Sequence, residues 1–228
     1  VGRVAAMTFA KHGATVVLHG RSTAKLEVIY DEIEAAGYPQ PAILVLEFLK
    51  AGEADYQGLA ETIFASFKQL DGIFHAAGHM EPLCSIALQN MNTWHAHFTI
   101  NVLAPVAITR VCLPMLKRAP FNNGNVVFLS ETHAIEPKAY WGAFATTKAS
   151  LSHIAIIWND EVAHESQLRM RVLLPGPIAS QMRAMSHPGE LPSQSPPVAS
   201  LIPSMLYLIS GAAADEVVIG DAPVIYQP

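Results

Sequence analysis

The chain has 228 residues, 51% of them apolar and 14% charged, with a formal net charge of −5. That is enough apolar sequence for one domain with a full core. The acidic balance, without any Lys/Arg cluster, excludes a surface built for nucleic acid. Residues 1–12 predict a helix with Ala5, Ala6, Phe9 and Ala10 on one face, stopped at Gly13. A continuous apolar run, 14–18, predicts a strand buried on both faces. Helix follows over 22–36, with Ser22 as N-cap, then strand 42–46, helix 53–69 and strand 72–75. A long helix is expected over about 91–118, strand over 126–129, helix over 140–164 and strand over 170–174. A Pro/Ser-rich loop (186–203), a short helix (204–210) and a last strand near 222–226 complete the order.

Strands alternating with helices imply a doubly wound α/β fold, the Rossmann arrangement, with a parallel sheet covered by helices on both faces. No repeat or linker divides it, so 1–228 reads as a single domain. Such a sheet needs a first strand feeding the helix at residue 1, and 15–30 further residues upstream are expected to carry it, with most of a glycine-rich phosphate loop. Gly2 would be that loop's last glycine, where a helix N-terminus meets a pyrophosphate. No signal peptide is visible. The richest apolar stretch, 102–116, is interrupted by Pro105, Arg110 and Pro114, so no membrane span is expected. Cys84 and Cys112 fit no zinc spacing and read as thiols of a reducing, cytoplasmic setting. His95 and His97 point apart on a helix, and no metal site is expected.

Gly20-Arg21 follows the first strand without an acidic residue to accept from a ribose 2′-hydroxyl. Arginine there pairs with a 2′-phosphate, which favours NADP(H) over NAD(H).

The stretch Tyr140-Trp141-Gly142-Ala143-Phe144-Ala145-Thr146-Thr147-Lys148 resembles the Tyr-x-x-x-Lys active-site helix of the short-chain dehydrogenase/reductase family, with the phenol oxygen missing. Phe144 and Lys148, four apart, share a helix face. Glu47, after a strand, resembles the family's adenine-side aspartate. Ala77-Gly78, after His75-Ala76, resembles its Asn-Asn-Ala-Gly motif; His75 itself reads as a hydrogen-bonded core histidine. Asn101 resembles the asparagine whose carbonyl holds a water on the proton relay, and Pro105 has no N–H to occupy that carbonyl. Pro175-Gly176-Pro177-Ile178-Ala179-Ser180 resembles the nicotinamide-contacting segment, with Ile178 and Ser180 against the carboxamide. The loop after it corresponds to a substrate lid, here stiffened by five prolines between 188 and 203.

The resemblance implies an NADP(H)-binding oxidoreductase acting on a small-molecule carbonyl or alcohol. It also implies a homodimer or homotetramer associating through the two long helices. Three positions depart from it: Ala76, where the Asn-Asn-Ala-Gly motif has asparagine, and the two that bear on catalysis, Glu131 and Phe144. Counting thirteen residues back from Phe144, the family's catalytic serine falls on Glu131, with Ser130 and Thr132 as neighbours one register away. A carboxylate beside a developing alkoxide raises the barrier unless protonated. Phe144 has no proton to give, whereas Lys148 keeps its grip on the nicotinamide ribose. Two readings stay open: a slow or rearranged enzyme, with Tyr140 or His133 as substitutes, and a non-catalytic NADP(H) sensor or assembly subunit.

Overall fold

A computed structural model describes residues 1–119, 124–164 and 168–210, and the backbone of 217–219 and 222–224. The strands are β1 (Val17–Gly20), β2 (Ala42–Val45), β3 (Gly72–His75), β4 (Asn125–Leu129), β5 (Arg169–Leu174), β6 (Val217–Ile219) and β7 (Ala222–Val224). The helices are α1 (Gly2–Lys11), α2 (Thr23–Ala35), α3 (Glu53–Phe67), α4 (Met91–Phe98), α5 (Ala104–Leu116), α6 (Gly142–Ala163), α7 (Gln181–Ser186) and α8 (Ile202–Ile209). β1 pairs with β2 in parallel, and β3-β4-β5-β6-β7 form a second group, parallel except for the antiparallel β6–β7 hairpin.

The expected doubly wound sheet is thus present in two parts. β1 and β3 are not paired to each other. The expected last strand is instead β7, preceded by β6, which the sequence reading did not anticipate.

β4 shows why the helices take both faces. Its residues Val126 and Phe128 pack with α3, α5 and α6, while Val127 and Leu129 pack with α1 and α8. That is the period-two alternation of a strand buried on both sides. β5 repeats it, with Met170, Val172 and Leu174 on the first face and Leu173 on the second. Arg171 also lies buried, donating to the Leu208 carbonyl at 3.0 Å near the C-terminal end of α8. A guanidinium there satisfies a helix-end acceptor and complements the dipole. A third cluster joins Ala6 and Ala10 of α1 to Leu18, Leu26 and Ile33.

The long helix differs most from expectation. α4 and α5 are joined through a π-helical turn, Thr99–Leu103, one turn before Pro105. Proline cannot donate to the carbonyl four residues back, and a π-turn absorbs that gap in the ladder. Its richest 18-residue window reaches a mean hydropathy of 1.6, enough by length and composition to cross a membrane. Of that window, 56% is buried against the protein, as in a core helix. Cys112 is buried and Cys84 partly so, both free thiols.

His75, at the end of β3, is buried, stacked on Phe128 and bonded to the Thr109 hydroxyl at 2.8 Å. Burial depresses its pKa from 6.5 to about 3. The native state therefore resists the proton that the unfolded chain accepts. The associated stability is present above pH 6.5 and is lost as pH falls toward 3. By pH 4.5 this amounts to about 2–3 kcal/mol. Urea unfolding of the natural protein should lose that much more between pH 7 and 4.5 than a His75→Asn variant does. Equal losses would remove His75 as the cause.

Candidate active site

The parallel register of β3, β4 and β5 brings Ala76–Gly78, Ser130–Glu131 and Pro175–Gly176 to one edge, where ligands bind in open α/β sheets. β1 and β2 carry Arg21 and Glu47 just beyond their own C-terminal ends. Arg21 is exposed, and Glu47 pairs with Lys50 at 2.8 Å on its own turn. The α1 N-terminus reaches the larger group: a Cβ at Gly2 would sit 3.3 Å from the Ala76 Cβ.

Lys148 lies on α6 and is 3% exposed, with its Nζ donating to the Leu129 carbonyl at 2.8 Å. A strand-end acceptor therefore holds the ammonium at the sheet edge. Burial lowers its pKa from 10.5 to about 8, opposed by the carboxylate of Glu131. Glu131 responds in the opposite sense: burial raises its pKa, against the pull of His133, Lys148 and two backbone N–H groups. One of its oxygens, Oε1, is buried without a hydrogen-bond partner. Ser130 faces elsewhere. Its hydroxyl meets Ser152 at 2.7 Å and the Lys148 carbonyl at 3.3 Å, inside the contact between β4 and α6. The alternative register that would make Ser130 the substrate-facing hydroxyl finds it occupied in packing.

The ring of Phe144 is 5.9 Å, centroid to Nζ, from the lysine and 5% exposed. It packs with Met80, Trp141 and Ala145, and with Met182 of α7. A cavity of about 180 Å³ opens beside it, lined also by Tyr140, Trp141, His97 and Glu81. Tyr140 does not stand one helical turn before Phe144, as a helix from 140 would place it. α6 starts at Gly142, and Tyr140 sits in a preceding turn at φ 75°, 61% exposed. His133 donates to the Glu136 carbonyl at 3.0 Å, and its ring lies tilted against Trp141, centroids 4.2 Å apart.

Asn101 lies in the π-turn, fully buried. Its Oδ1 accepts from the His79 N–H at 2.7 Å, and its Nδ2 donates to the His79 carbonyl at 3.0 Å and to the Thr147 hydroxyl at 3.0 Å. One side chain thus ties the loop after β3 to α6. Gly78 fills the space beneath this clasp. A Cβ there would lie 3.2 Å from the Met182 methyl, 3.6 Å from the Lys148 Nζ and 3.8 Å from the Asn101 Oδ1. A side chain there would press on Met182 and crowd the space between Lys148 and Asn101, which glycine leaves open.

Beyond β5, Pro175 is buried, Gly176 takes φ 65° and Ile178 packs under the edge against Ala5 and Leu129. Ser180 caps α7 by accepting from the Arg183 N–H at 3.2 Å. α7 was not expected from the sequence. The segment after it holds itself together: Glu190 accepts from Arg183 and from Ser195, each at 2.6 Å.

A helix start and a glycine at parallel strand ends, with a buried lysine beside a cavity, make the ligand-binding crevice of an open α/β sheet. The chain matches the short chain dehydrogenase family over residues 1–190 and belongs to it. It is 32% identical to the Escherichia coli K12 oxidoreductase YciK over 92% of this chain and 81% of that protein. It is 34% identical to a Saccharomyces cerevisiae benzil reductase, (S)-benzoin forming, over 56% of this chain and 49% of the other. Among solved structures, a short chain dehydrogenase from Escherichia coli CFT073 complexed with NADPH superposes with a TM-score of 0.90 at 31% identity. That match covers 97% of this chain and 92% of the other. A Shigella flexneri relative complexed with NADP gives 0.87 at 33%, covering 91% and 85%.

Proposed function

We propose that this chain binds NADP(H) across the strand ends, and that its hydride transfer with a small-molecule carbonyl or alcohol is impaired. The observation carrying this reading is the buried ammonium of Lys148 beside an aromatic ring that bears no hydroxyl. Gly2 would receive the pyrophosphate at the α1 N-terminus, Arg21 the 2′-phosphate and Glu47 the adenine side. Ala77 and Gly78 would admit the cofactor to the backbone, Lys148 would bond the nicotinamide ribose, and Pro175, Gly176, Ile178 and Ser180 would line the nicotinamide. The bound cofactor supplies or accepts hydride.

The chain's own residues do the rest incompletely. Asn101 fixes the loop over which the cofactor would lie, and Lys148 supplies positive charge. The position that should protonate an alkoxide holds Phe144, and the position that should orient the substrate oxygen holds Glu131. The relatives crystallised with NADP and NADPH support the choice of cofactor.

A second reading, a non-catalytic NADP(H) sensor or assembly subunit, is favoured by Ser130, whose hydroxyl is committed to Ser152. Such a subunit would associate through the long helices, where Leu103 and Ile157 are exposed. A cytoplasmic location and a homodimer or homotetramer fit either reading.

Calorimetric titration of the full chain with NADPH and NADH tests the common part. NADPH should bind more tightly, and Arg21→Ala should remove about tenfold or more of that preference, since a charge-assisted hydrogen bond contributes roughly 1.5–3 kcal/mol. No affinity for either nucleotide would remove both readings.

A further inference from the structure

Two histidines and a carboxylate converge beside the cavity, and the reading above gives them no part. His79 and Glu81 lie on the loop after β3, and His97 lies on α4; their ligand atoms are all within 4.8 Å of one another. Each is oriented from behind. The Nδ1 of His97 is 2.8 Å from the Thr93 carbonyl, which only a protonated Nδ1 can satisfy, so Nε2 keeps its lone pair. The Thr93 hydroxyl donates to one oxygen of Glu81 at 3.0 Å, and the other oxygen is 3.3 Å from the His79 Nε2. The backbone of His79 is the group clasped by Asn101. Outer partners of this kind fix ring orientation and ligand basicity at metal centres.

We propose that His79, Glu81 and His97 form a binding site for a divalent transition-metal ion, Zn²⁺ by ligand type, with its fourth position open toward the cavity beside Phe144. Imidazole nitrogen and carboxylate oxygen are zinc ligands, and three protein ligands with one open position is the layout of catalytic zinc centres. Ligands held at about 2.0–2.1 Å on a tetrahedron stand about 3.3 Å apart, the spacing His79 and Glu81 already have. The remaining gap closes by side-chain rotation of His79 and Glu81, which are 27% and 42% exposed. Glu81 and His97 both line the cavity with Phe144, so the site borders that space. The site would place a Lewis acid where the ring at 144 offers no proton, but it is defined by binding and stands independently of turnover.

The experiment is titration of the full, metal-stripped chain with Co²⁺, read by its d–d absorption, and with Zn²⁺ by calorimetry. One equivalent should bind with a tetrahedral Co²⁺ spectrum that Zn²⁺ abolishes. Glu81→Gln, His79→Ala and His97→Ala should each weaken binding by at least the roughly 10–100-fold that outer-partner losses cost, and Thr93→Val by about tenfold. His95→Ala, an exposed neighbour on α4, should change nothing. Circular dichroism checks folding, and the partly exposed Glu81 and His79 keep the test open if the His97 variant unfolds. Absence of bound metal overturns the proposal. So does binding that survives in Glu81→Gln and His79→Ala, or that falls equally in His95→Ala.

Discussion

The double substitution Phe144→Tyr with Glu131→Ser is expected to raise NADPH-dependent reduction of a small ketone by about 10²–10⁴-fold, the range typical of a positioned general acid. The ring at 144 already borders a cavity of about 180 Å³, so a phenol oxygen has somewhere to go. It would stand near the Lys148 ammonium, the kind of neighbour that lowers a phenol pKa from about 10 toward a useful range. Glu131 works against any alkoxide formed there. Its pKa is raised by burial, and one oxygen lacks a partner, so the position already suits a neutral group better than a charge. Serine supplies a neutral donor and removes a poorly solvated carboxyl. Phe144→Tyr alone should give part of the gain, because Glu131 remains. The measurement is steady-state ketone reduction at saturating NADPH for the natural chain and both variants. A double variant that binds NADPH normally yet gains nothing would show that acid–base substitution is not what limits this site. If the natural chain already turns over and Tyr140→Phe abolishes it, the proton comes from the turn before α6 instead.

The legible parts of this protein were those decided by local pattern. The run from Val126 to Leu129 reads as a buried strand because every residue in it is apolar, and the alternation between faces then follows from the backbone; the structure starts the strand one residue earlier, at Asn125. Gly72–His75 and the pairing of Phe144 with Lys148 were similarly local. What failed depended on tertiary partners. The six-residue α7 is held by Ser180 and by the Arg183–Glu190 pair, not by a periodic apolar face. Tyr140 takes a positive φ that no count of helical spacing could reveal. Glu131 and Ser130 point in different directions because they are neighbours leaving a strand, and a count of thirteen residues says nothing of the Ser130–Ser152 contact that commits the second of them to packing. The cluster of His79, Glu81 and His97 is brought together by a loop and a helix, so no spacing along the chain reveals it. The sequence reading of Asn101 concerned its backbone carbonyl, left free by Pro105, whereas the clasp of its side chain on His79 and Thr147 joins residues 22 and 46 positions away.

Lys148→Met should separate function from stability. At pH 7 the variant is expected to be more stable than the natural protein by about 1–3 kcal/mol while binding NADPH at least tenfold more weakly. The natural lysine is 3% exposed, and burial takes its pKa from 10.5 to about 8. At about 1.36 kcal/mol per pKa unit, that depression is a cost of roughly 3 kcal/mol carried by the charged form in the folded state. Methionine has similar length and no charge to desolvate, and such exchanges of buried ions for apolar groups are often stabilising. Against this, the Leu129 carbonyl loses a 2.8 Å hydrogen bond, which returns about 1 kcal/mol. The sign of the pH dependence follows from a folded pKa below the unfolded one. The cost is fully present below pH 8 and is relieved as pH rises toward 10.5, where the unfolded chain also gives up the proton. The advantage of the Met variant should therefore shrink across that window, a trend that urea unfolding at pH 7 and at pH 10 reads directly. A variant less stable than the natural chain at pH 7, or an advantage unchanged by pH, would mean that Leu129 and Glu131 compensate the ammonium fully. A lysine retained at such a cost is expected to act on a ligand, and weaker NADPH binding in the variant is the second half of the same result.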